Sequence, residues 1–220
     1  MKKLAIGVML VGFQLAFAQI SRKVGEFSSL KVYDKITVTL IASNENKVES
    51  DSDNTSVETV NKNGELKIRM APAKILQGNQ VSVKVYYQNI NDIQASQGSM
   101  ISSNEALKTR MLTLTSNEGS KINLTVDTGK LNVKTNSGGE INVKGSADNQ
   151  DIVVNSGGKF YGRNLESQSA TITANAGGIA EIFATESVDA KTRAGGIIDV
   201  YGDPNDRKFK NVIGGKINFK

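Results

Sequence analysis

The segment Asn136-Ser-Gly-Gly-Glu-Ile-Asn-Val143 contains a glycine pair that recurs through the second half of the chain. Successive pairs are separated by 19, 20, 18 and 19 residues, and single glycines extend the series backward by 19 and 21 residues. The members of the series are Gly98, Gly119, Gly138-Gly139, Gly157-Gly158, Gly177-Gly178, Gly195-Gly196 and Gly214-Gly215. A period near 19 residues predicts a repeat architecture, because each short unit must bury its apolar face against its neighbours.

Apolar and polar residues alternate on both sides of each glycine pair. Ile141 and Val143 follow one pair and Ile198 and Val200 follow another, while residues 131–135 alternate before a pair. Alternation with a period of two is typical of strands with one buried face and one wet face. We therefore predict an all-β chain that forms a right-handed parallel β-helix, a solenoid with coils of about 19 residues.

Equivalent positions of successive coils are expected to stack in columns. The first inward column is predicted to contain Ile141, Phe160, Ala180, Ile198 and Ile217, and the second Val143, Gly162, Ile182, Val200 and Phe219. The outward column between them is predicted to contain Asn142, Tyr161, Glu181, Asp199 and Asn218.

The glycines of the series are interpreted as structural corner residues. Asn and Gly tolerate left-handed backbone, so we expect both residue types to form the corners. An asparagine stands two places before the first glycine in four coils, at Asn117, Asn136, Asn155 and Asn175. This column favours an internal amide ladder between coils, and a ligand-reading row is the alternative.

Residues 1–18 have the features of a secretory signal peptide. Two lysines precede an apolar run that ends in Ala16-Phe17-Ala18, a pattern typical of a cleavage site between Ala18 and Gln19. The run is shorter than the roughly 18–20 residues of a spanning helix. We expect an exported protein in the periplasm, at the cell surface or outside the cell, with no transmembrane segment in the mature chain.

The mature chain, residues 19–220, is predicted to be one solenoid domain. Its regular coils occupy 91–220, whereas 19–90 is β without a clean period and forms either irregular coils or an N-terminal cap. Within that part, Asn63-Gly64 predicts a type I′ hairpin, and residues 71–80 are the longest predicted loop.

The composition excludes several kinds of chemistry. The chain has no Cys and no His, which removes thiol nucleophiles, Ser-His-Asp triads and His/Cys zinc sites. The pairs also fail to match the calcium-binding G-G-x-G-x-D repeat, so we expect no cofactor and no metal. Loss of the two signal-peptide lysines would leave 25 basic against 22 acidic residues, a net charge of +3 instead of +5, which does not predict nucleic-acid binding.

Glu181 and Asp199 are the candidate pair for an active site. They are predicted to lie at equivalent outward positions of adjacent coils, and paired carboxylates are what a polysaccharide hydrolase needs. The other acidic residues are scattered, so solvated side chains are the simpler interpretation and we expect no enzyme activity.

The mature chain resembles the family called putative auto-transporter adhesin, head GIN domain. The resemblance rests on the opening residues 24–32, on Gly64-Glu-Leu-Lys-Ile68 and on coils such as Ser137-Gly-Gly-Glu-Ile-Asn-Val143. It implies an exported right-handed β-helix with an adhesin-like role and no established catalytic residues. The printed sequence leaves no room for a translocator barrel after Lys220, so the expectation is that surface attachment needs another protein.

Three functions follow as hypotheses. The first is an exported, non-catalytic binding module that presents repeated polar faces to a glycan, a cell-surface protein or another polymer. The alternatives are a polysaccharide-degrading β-helix enzyme (a lyase or hydrolase) and a structural envelope protein. The last coil, which ends in Phe219 and Lys220, is predicted to be uncapped and to associate with a partner or a second copy.

Overall fold

The computed structural model describes residues 20–51, 56–77 and 81–220. Within these ranges the chain is a β-solenoid of about seven coils of about 19 residues each, which confirms the fold predicted from the glycine period. The predicted signal peptide and its cleavage position between Ala18 and Gln19 lie outside the described residues. None of the helical turns in the described ranges has the length and apolar character needed to cross a membrane.

The N-terminal part contains eight short strands. These are β1 (Ile20–Lys23), β2 (Ser29–Val32), β3 (Thr37–Ala42), β4 (Lys47–Ser50), β5 (Val57–Lys62), β6 (Glu65–Met70), β7 (Ser82–Tyr87) and β8 (Asp92–Ala95). A 3₁₀ helix at Pro72–Gln77 lies between β6 and β7, so part of the loop predicted over 71–80 is helical. Pro72 explains the difference, because its fixed φ suits the first turn of a helix.

The remaining strands form the regular coils. They are β9 (Met100–Asn117), β10 (Lys121–Asn136), β11 (Glu140–Val154), β12 (Lys159–Tyr161), β13 (Leu165–Asn175), β14 (Ile179–Phe183), β15 (Ser187–Arg193), β16 (Ile197–Tyr201), β17 (Asp206–Val212) and β18 (Lys216–Phe219). Each pairs in parallel with its equivalent in the next coil, for example β10 with β11, and β14 with β16.

Parallel and antiparallel pairs meet in the N-terminal part. Strands β2 and β3 join the parallel ladders, pairing with β8 and β9 respectively. In contrast, β1 pairs antiparallel with β4, and β5 pairs antiparallel with β6. The β5–β6 turn has Asn63 at φ 53° and Gly64 at φ 78°, which confirms the predicted type I′ hairpin.

Left-handed backbone occurs at each corner of the regular coils, but not at the asparagines that precede these corners. Ser137 (φ 50°) and Gly138 (φ 73°) are the left-handed residues of one corner, whereas Asn136 is the last residue of β10. The expectation that asparagine supplies this conformation was therefore wrong. The asparagine residue instead lies in the strand, where its side-chain amide forms a hydrogen bond with the asparagine of an adjacent coil.

The core is a set of stacked apolar columns. Ile141 is in register with Phe160, Phe160 with Ala180, and Ala180 with Ile198, and all four side chains are fully buried. The first inward column is thus confirmed through these coils. Ile217 continues its register but is only partly buried, because no later coil covers it in the described structure.

The asparagine column forms the predicted amide ladder. The Nδ2 atoms of Asn136, Asn155 and Asn175 each donate a hydrogen bond to the Oδ1 atom of the preceding asparagine, at 2.8, 3.0 and 2.8 Å. The ladder begins at Asn117 and ends where Arg193 takes the equivalent position beside Asn175. It is a structural feature that holds the coils in register.

Candidate ligand-binding groove

A groove of about 570 Å³ crosses the outward face of the strands that follow the corners. It runs over coils that contain β9, β10, β11, β12 and β14, and its lining includes Asn123, Asn142, Lys144, Tyr161, Arg163 and Glu181. Parallel pairing brings these positions together, since strands of adjacent coils lie ~4.8 Å apart. Residues separated by about 19 in sequence are thereby neighbours in one surface.

The groove is built around the predicted outward column. Asn123 is in register with Asn142, Asn142 with Tyr161, and Tyr161 with Glu181. The Nδ2 atom of Asn142 donates hydrogen bonds to Asn123 Oδ1 at 2.9 Å and to Glu140 Oε1 at 3.0 Å. These bonds fix the Asn142 amide with its oxygen available to the groove.

Glu181 and Asp199 lie where the sequence predicted them, at paired positions of adjacent coils. Their environments differ. Asp199 Oδ1 accepts a hydrogen bond from Asn218 Nδ2 at 2.7 Å and lies 3.6 Å from Lys220 Nζ. Within the described part of the chain, the Glu181 carboxylate forms no hydrogen bond or ion pair. Of the two acidic residues, Glu181 lines the groove and Asp199 does not. The two carboxylates therefore have different surroundings: donors hold that of Asp199, and that of Glu181 has no partner among the described residues.

Two cations lie beside the outward column. Lys144 and Arg163 each stand two residues after the register partners Asn142 and Tyr161. The guanidinium carbon of Arg163 lies 4.6 Å from the centroid of the Tyr201 ring. No carboxylate among the described residues forms an ion pair with either cation. Sequence analysis missed Lys144, although aligning the coils on their glycine pairs would have placed it beside Arg163.

Another broad depression has a different character. It has a volume of about 430 Å³ and includes Lys130, Asp151, Asp189, Asp206 and Lys208. Its charges are partly paired, since Asp189 contacts Lys191 at 3.5 Å and Asp206 contacts Lys208 at 3.8 Å. In the described ranges, no cluster of three or more acidic residues is arranged to hold a metal ion. The groove beside Tyr161 is thus the better candidate for a binding site.

The corner glycines lie outside the groove and serve the turns and the stacking of the coils. Gly98, Gly119, Gly138, Gly157, Gly177, Gly195 and Gly214 all have positive φ. The second glycines, Gly139, Gly158, Gly178, Gly196 and Gly215, lie against the preceding coil, where a Cβ atom would approach a neighbouring atom to 2.7 Å or less. Both sets serve the turn and the close stacking of coils.

Comparison with known proteins identifies one matching sequence family. The family described as putative auto-transporter adhesin, head GIN domain, matches residues 26–204. No curated protein matches the chain in sequence.

Several solved structures have a similar fold. A putative adhesin from Bacteroides fragilis NCTC 9343 is 19% identical, with a TM-score of 0.84 over 92% of this chain and 96% of that one. A putative adhesin from Parabacteroides distasonis ATCC 8503 is 19% identical, with a TM-score of 0.73 over 92% and 96%. A putative lipid binding protein from the same organism is 16% identical, with a TM-score of 0.68 over the same shares. At these identities the likeness shows the fold alone.

Proposed function

The chain belongs to the family of putative auto-transporter adhesin, head GIN domains, and we propose that it is an exported, non-catalytic, adhesin-like binding module. Its ligand is an extended polymer, a glycan or a cell-surface protein, that lies along the groove beside Tyr161. The observation that carries this proposal is the in-register outward column from Asn123 to Glu181, which offers polar groups at a regular spacing of ~4.8 Å.

A regular column suits a polymer better than a small molecule. Each coil contributes one side chain, so a chain-like ligand makes one modest contact per coil and gains affinity from their number. The groove is open and shallow enough to leave Lys144 and Arg163 exposed. An extended ligand can therefore enter sideways without threading.

Export is supported by the sequence of residues 1–18, which lie outside the described structure. The family description and the fold are consistent with a protein that acts in the envelope or outside the cell. Fractionation tests this part of the proposal, with the expectation of a processed chain that begins at Gln19. Retention of residues 1–18 on a cytoplasmic protein would contradict it.

Polymer binding is tested with the purified chain and immobilised neutral and acidic polysaccharides, scoring both retention and release of soluble products. We expect retention without products, and we expect Tyr161→Ala to weaken retention at least about tenfold, since stacking on a ring is lost. Tyr33→Ala is the matched control, because Tyr33 lies in the N-terminal part away from the groove. Equal retention by both variants would overturn the assignment of the groove.

The same assay separates a binding module from an enzyme. Glu181 and Asp199 are in register, which is the observation that favours a polysaccharide-degrading alternative. Product release that Glu181→Gln or Asp199→Asn abolishes would establish that alternative. Neither retention nor products on any glycan would instead favour a protein ligand or a structural envelope role.

We also propose that the last coil associates with a second copy. Phe209 is 61% exposed and Ile213 is 82% exposed, and β17 and β18 each pair with a single strand. Part of the apolar surface of this coil is covered by Arg207, whose guanidinium lies 4.8 Å from the centroid of the Phe219 ring. Light scattering at high protein concentration tests the association, and a strictly monomeric chain would contradict it.

A further inference from the structure

We infer that the ligand of the groove is an acidic polysaccharide, one whose sugar units carry a carboxylate as well as hydroxyl groups. The inference rests on the proposed binding function and adds the chemical class of the ligand. It is carried by the juxtaposition of Lys144 and Arg163, which form no ion pair with any described residue, with Tyr161 and the carboxylate of Glu181.

The two cations provide a place for an anion. Ion pairs between coils are common elsewhere on this surface, for example Lys121 with Glu140 at 3.8 Å, yet none forms at Lys144 or Arg163 within the described ranges. Both residues line the groove. A carboxylate placed between them would interact with two positive charges.

The geometry of Arg163 favours a planar anion. Its guanidinium lies over the ring of Tyr201, which belongs to a strand two coils further along the solenoid. Stacking on a ring restrains the long side chain and leaves the edge of the guanidinium free to donate. A planar carboxylate can accept two parallel hydrogen bonds from that edge, whereas Lys144 contributes a point charge.

Tyr161 and Glu181 can contact the parts of a sugar unit other than its carboxylate, namely its apolar ring face and its hydroxyl groups. The half-buried ring of Tyr161 offers an apolar surface between the cations and Glu181. Glu181 has no donor among the described residues, and an ionised carboxylate accepts hydrogen bonds without supplying any. Sugar hydroxyls are suitable donors to Glu181. They can also donate to the Asn142 oxygen, which accepts no hydrogen bond within the described ranges.

The negative charge of Glu181 also restricts the ligand. A uniformly dense polyanion would place charge against Glu181, which is unfavourable at short range. A polymer with a single carboxylate on each sugar can direct that group to Lys144 and Arg163 and its hydroxyls to Glu181. This division of charge accounts for a groove in which two cations and one carboxylate form no ion pair with other described residues.

The test compares matched ligands that differ only in charge. Polygalacturonate, alginate and hyaluronate are each offered to the full chain beside their carboxyl-reduced, neutral counterparts, and dissociation constants are measured by calorimetry. We expect at least one acidic polymer to bind about tenfold or more tightly than its neutral counterpart. Affinity should fall as salt rises from about 50 mM to about 500 mM, because charge interactions are screened.

Variants assign the effect to the groove. We expect Lys144→Ala and Arg163→Gln each to weaken binding of the acidic polymer about tenfold and to leave binding of the neutral one unchanged. Arg163→Lys retains the charge but loses the planar edge, so it should weaken binding by a smaller factor. Lys134→Ala is the control, since Lys134 is an exposed lysine of β10 outside the groove. Thermal unfolding of every variant shows whether it remains folded.

The outcomes distinguish the two proposals. Equal affinity for acidic and neutral polymers, with loss of both in Tyr161→Ala, would overturn the acidic ligand and leave the binding module in place. A preference for acidic polymers that is insensitive to Lys144 and Arg163 would also overturn the inference. No binding of any polysaccharide would overturn the inference together with the glycan version of the proposed function.

Discussion

Gly139 lies directly beneath the backbone carbonyl of Ser116 in an adjacent coil, and a Cβ atom at Gly139 would be 2.2 Å from that oxygen. The neighbouring Gly138 differs, because it has a left-handed φ of 73° and open space around its Cα. The two glycines of a pair therefore answer different requirements. The first permits the turn and the second permits two coils to approach.

This difference predicts unequal effects of alanine at the two positions. Gly139→Ala should lower the free energy of unfolding by about 3 kcal/mol, because backbone of the adjacent coil must move. Gly138→Ala should cost about 1–2 kcal/mol, the strain of a left-handed residue with a side chain. Urea unfolding of both variants measures the order, and a larger loss for Gly138→Ala would contradict this account of the pair.

The amide ladder predicts a local loss of stability on removal of one member. Asn155 donates to Asn136 at 3.0 Å and accepts from Asn175 at 2.8 Å. Asn155→Ala should cost about 1–3 kcal/mol, since two half-buried amides lose their partners. Asn149→Ala, at an exposed position of β11, is the control and should change stability by less than about 0.5 kcal/mol. Equal unfolding midpoints would show that the ladder contributes nothing.

The burial of Phe160 predicts that its removal lowers stability by leaving a cavity, and that this loss is coupled to substitution of Gly162. Its side chain is fully buried, and a Cβ atom at Gly162 would lie 2.5 Å from its Cε1 atom. Phe160→Ala should cost about 3–5 kcal/mol. Gly162→Ala should be less destabilising when Phe160 is already alanine, because the ring that obstructs the new methyl is gone.

A double-mutant cycle by thermal or urea unfolding measures that coupling. Phe209→Ala is the matched single control, because Phe209 is 61% exposed and contacts Phe219 only edge to face. It should cost about 1 kcal/mol. Strict additivity of Phe160→Ala and Gly162→Ala would rule out the direct packing relationship.

The Lys31–Glu65 pair predicts a pH-dependent contribution to stability. A hydrogen bond from Lys31, whose Nζ atom lies 2.5 Å from Glu65 Oε2, is the main cause that lowers the pKa of Glu65, and Lys67 adds to it. A lowered pKa means that the folded state favours the ionised carboxylate. Its stabilisation is therefore present above the unfolded pKa and is lost as pH falls through the folded pKa.

Glu65→Gln tests the sign of this effect. The variant should be less stable than the native chain by about 1 kcal/mol or less at pH 7, since the pair is partly exposed. The difference should shrink as pH falls from about 5 toward 3. Glu26→Gln makes the same charge change at an exposed side chain and serves as the reference. A difference that grows in acid would contradict the assignment.

Much of the fold could be predicted from the sequence, because the repeat shows which residues occupy equivalent positions in successive coils. The glycine period fixes which residues are equivalent, and alternation fixes which of them point inward. Together they predicted the column of Ile141, Phe160, Ala180 and Ile198, and the register confirms it. The asparagine ladder followed from the same alignment, since parallel in-register strands place identical side chains within hydrogen-bond reach.

The corners and the N-terminal part were less predictable. Asparagine and glycine both tolerate left-handed backbone, so propensity could not decide that Ser137 and Gly138 take it while Asn136 remains in the strand. The 3₁₀ helix at Pro72–Gln77 was not predicted, because a segment of six residues is too short to give a periodic signal. At the corners, the strand pairing of Asn136 with Asn117 decided which residues take the left-handed conformation.

By itself the sequence determined that this chain is a solenoid with outward columns of polar residues, since a two-residue alternation inside a 19-residue period leaves few other ways to bury the apolar side chains. Only the tertiary structure decided which outward residues form a site. Arg163 meets Tyr201 across two coils, and Lys144 and Glu181 remain without ion pairs in the described ranges. Those relationships depend on the rotamers of long side chains, which no local sequence pattern encodes.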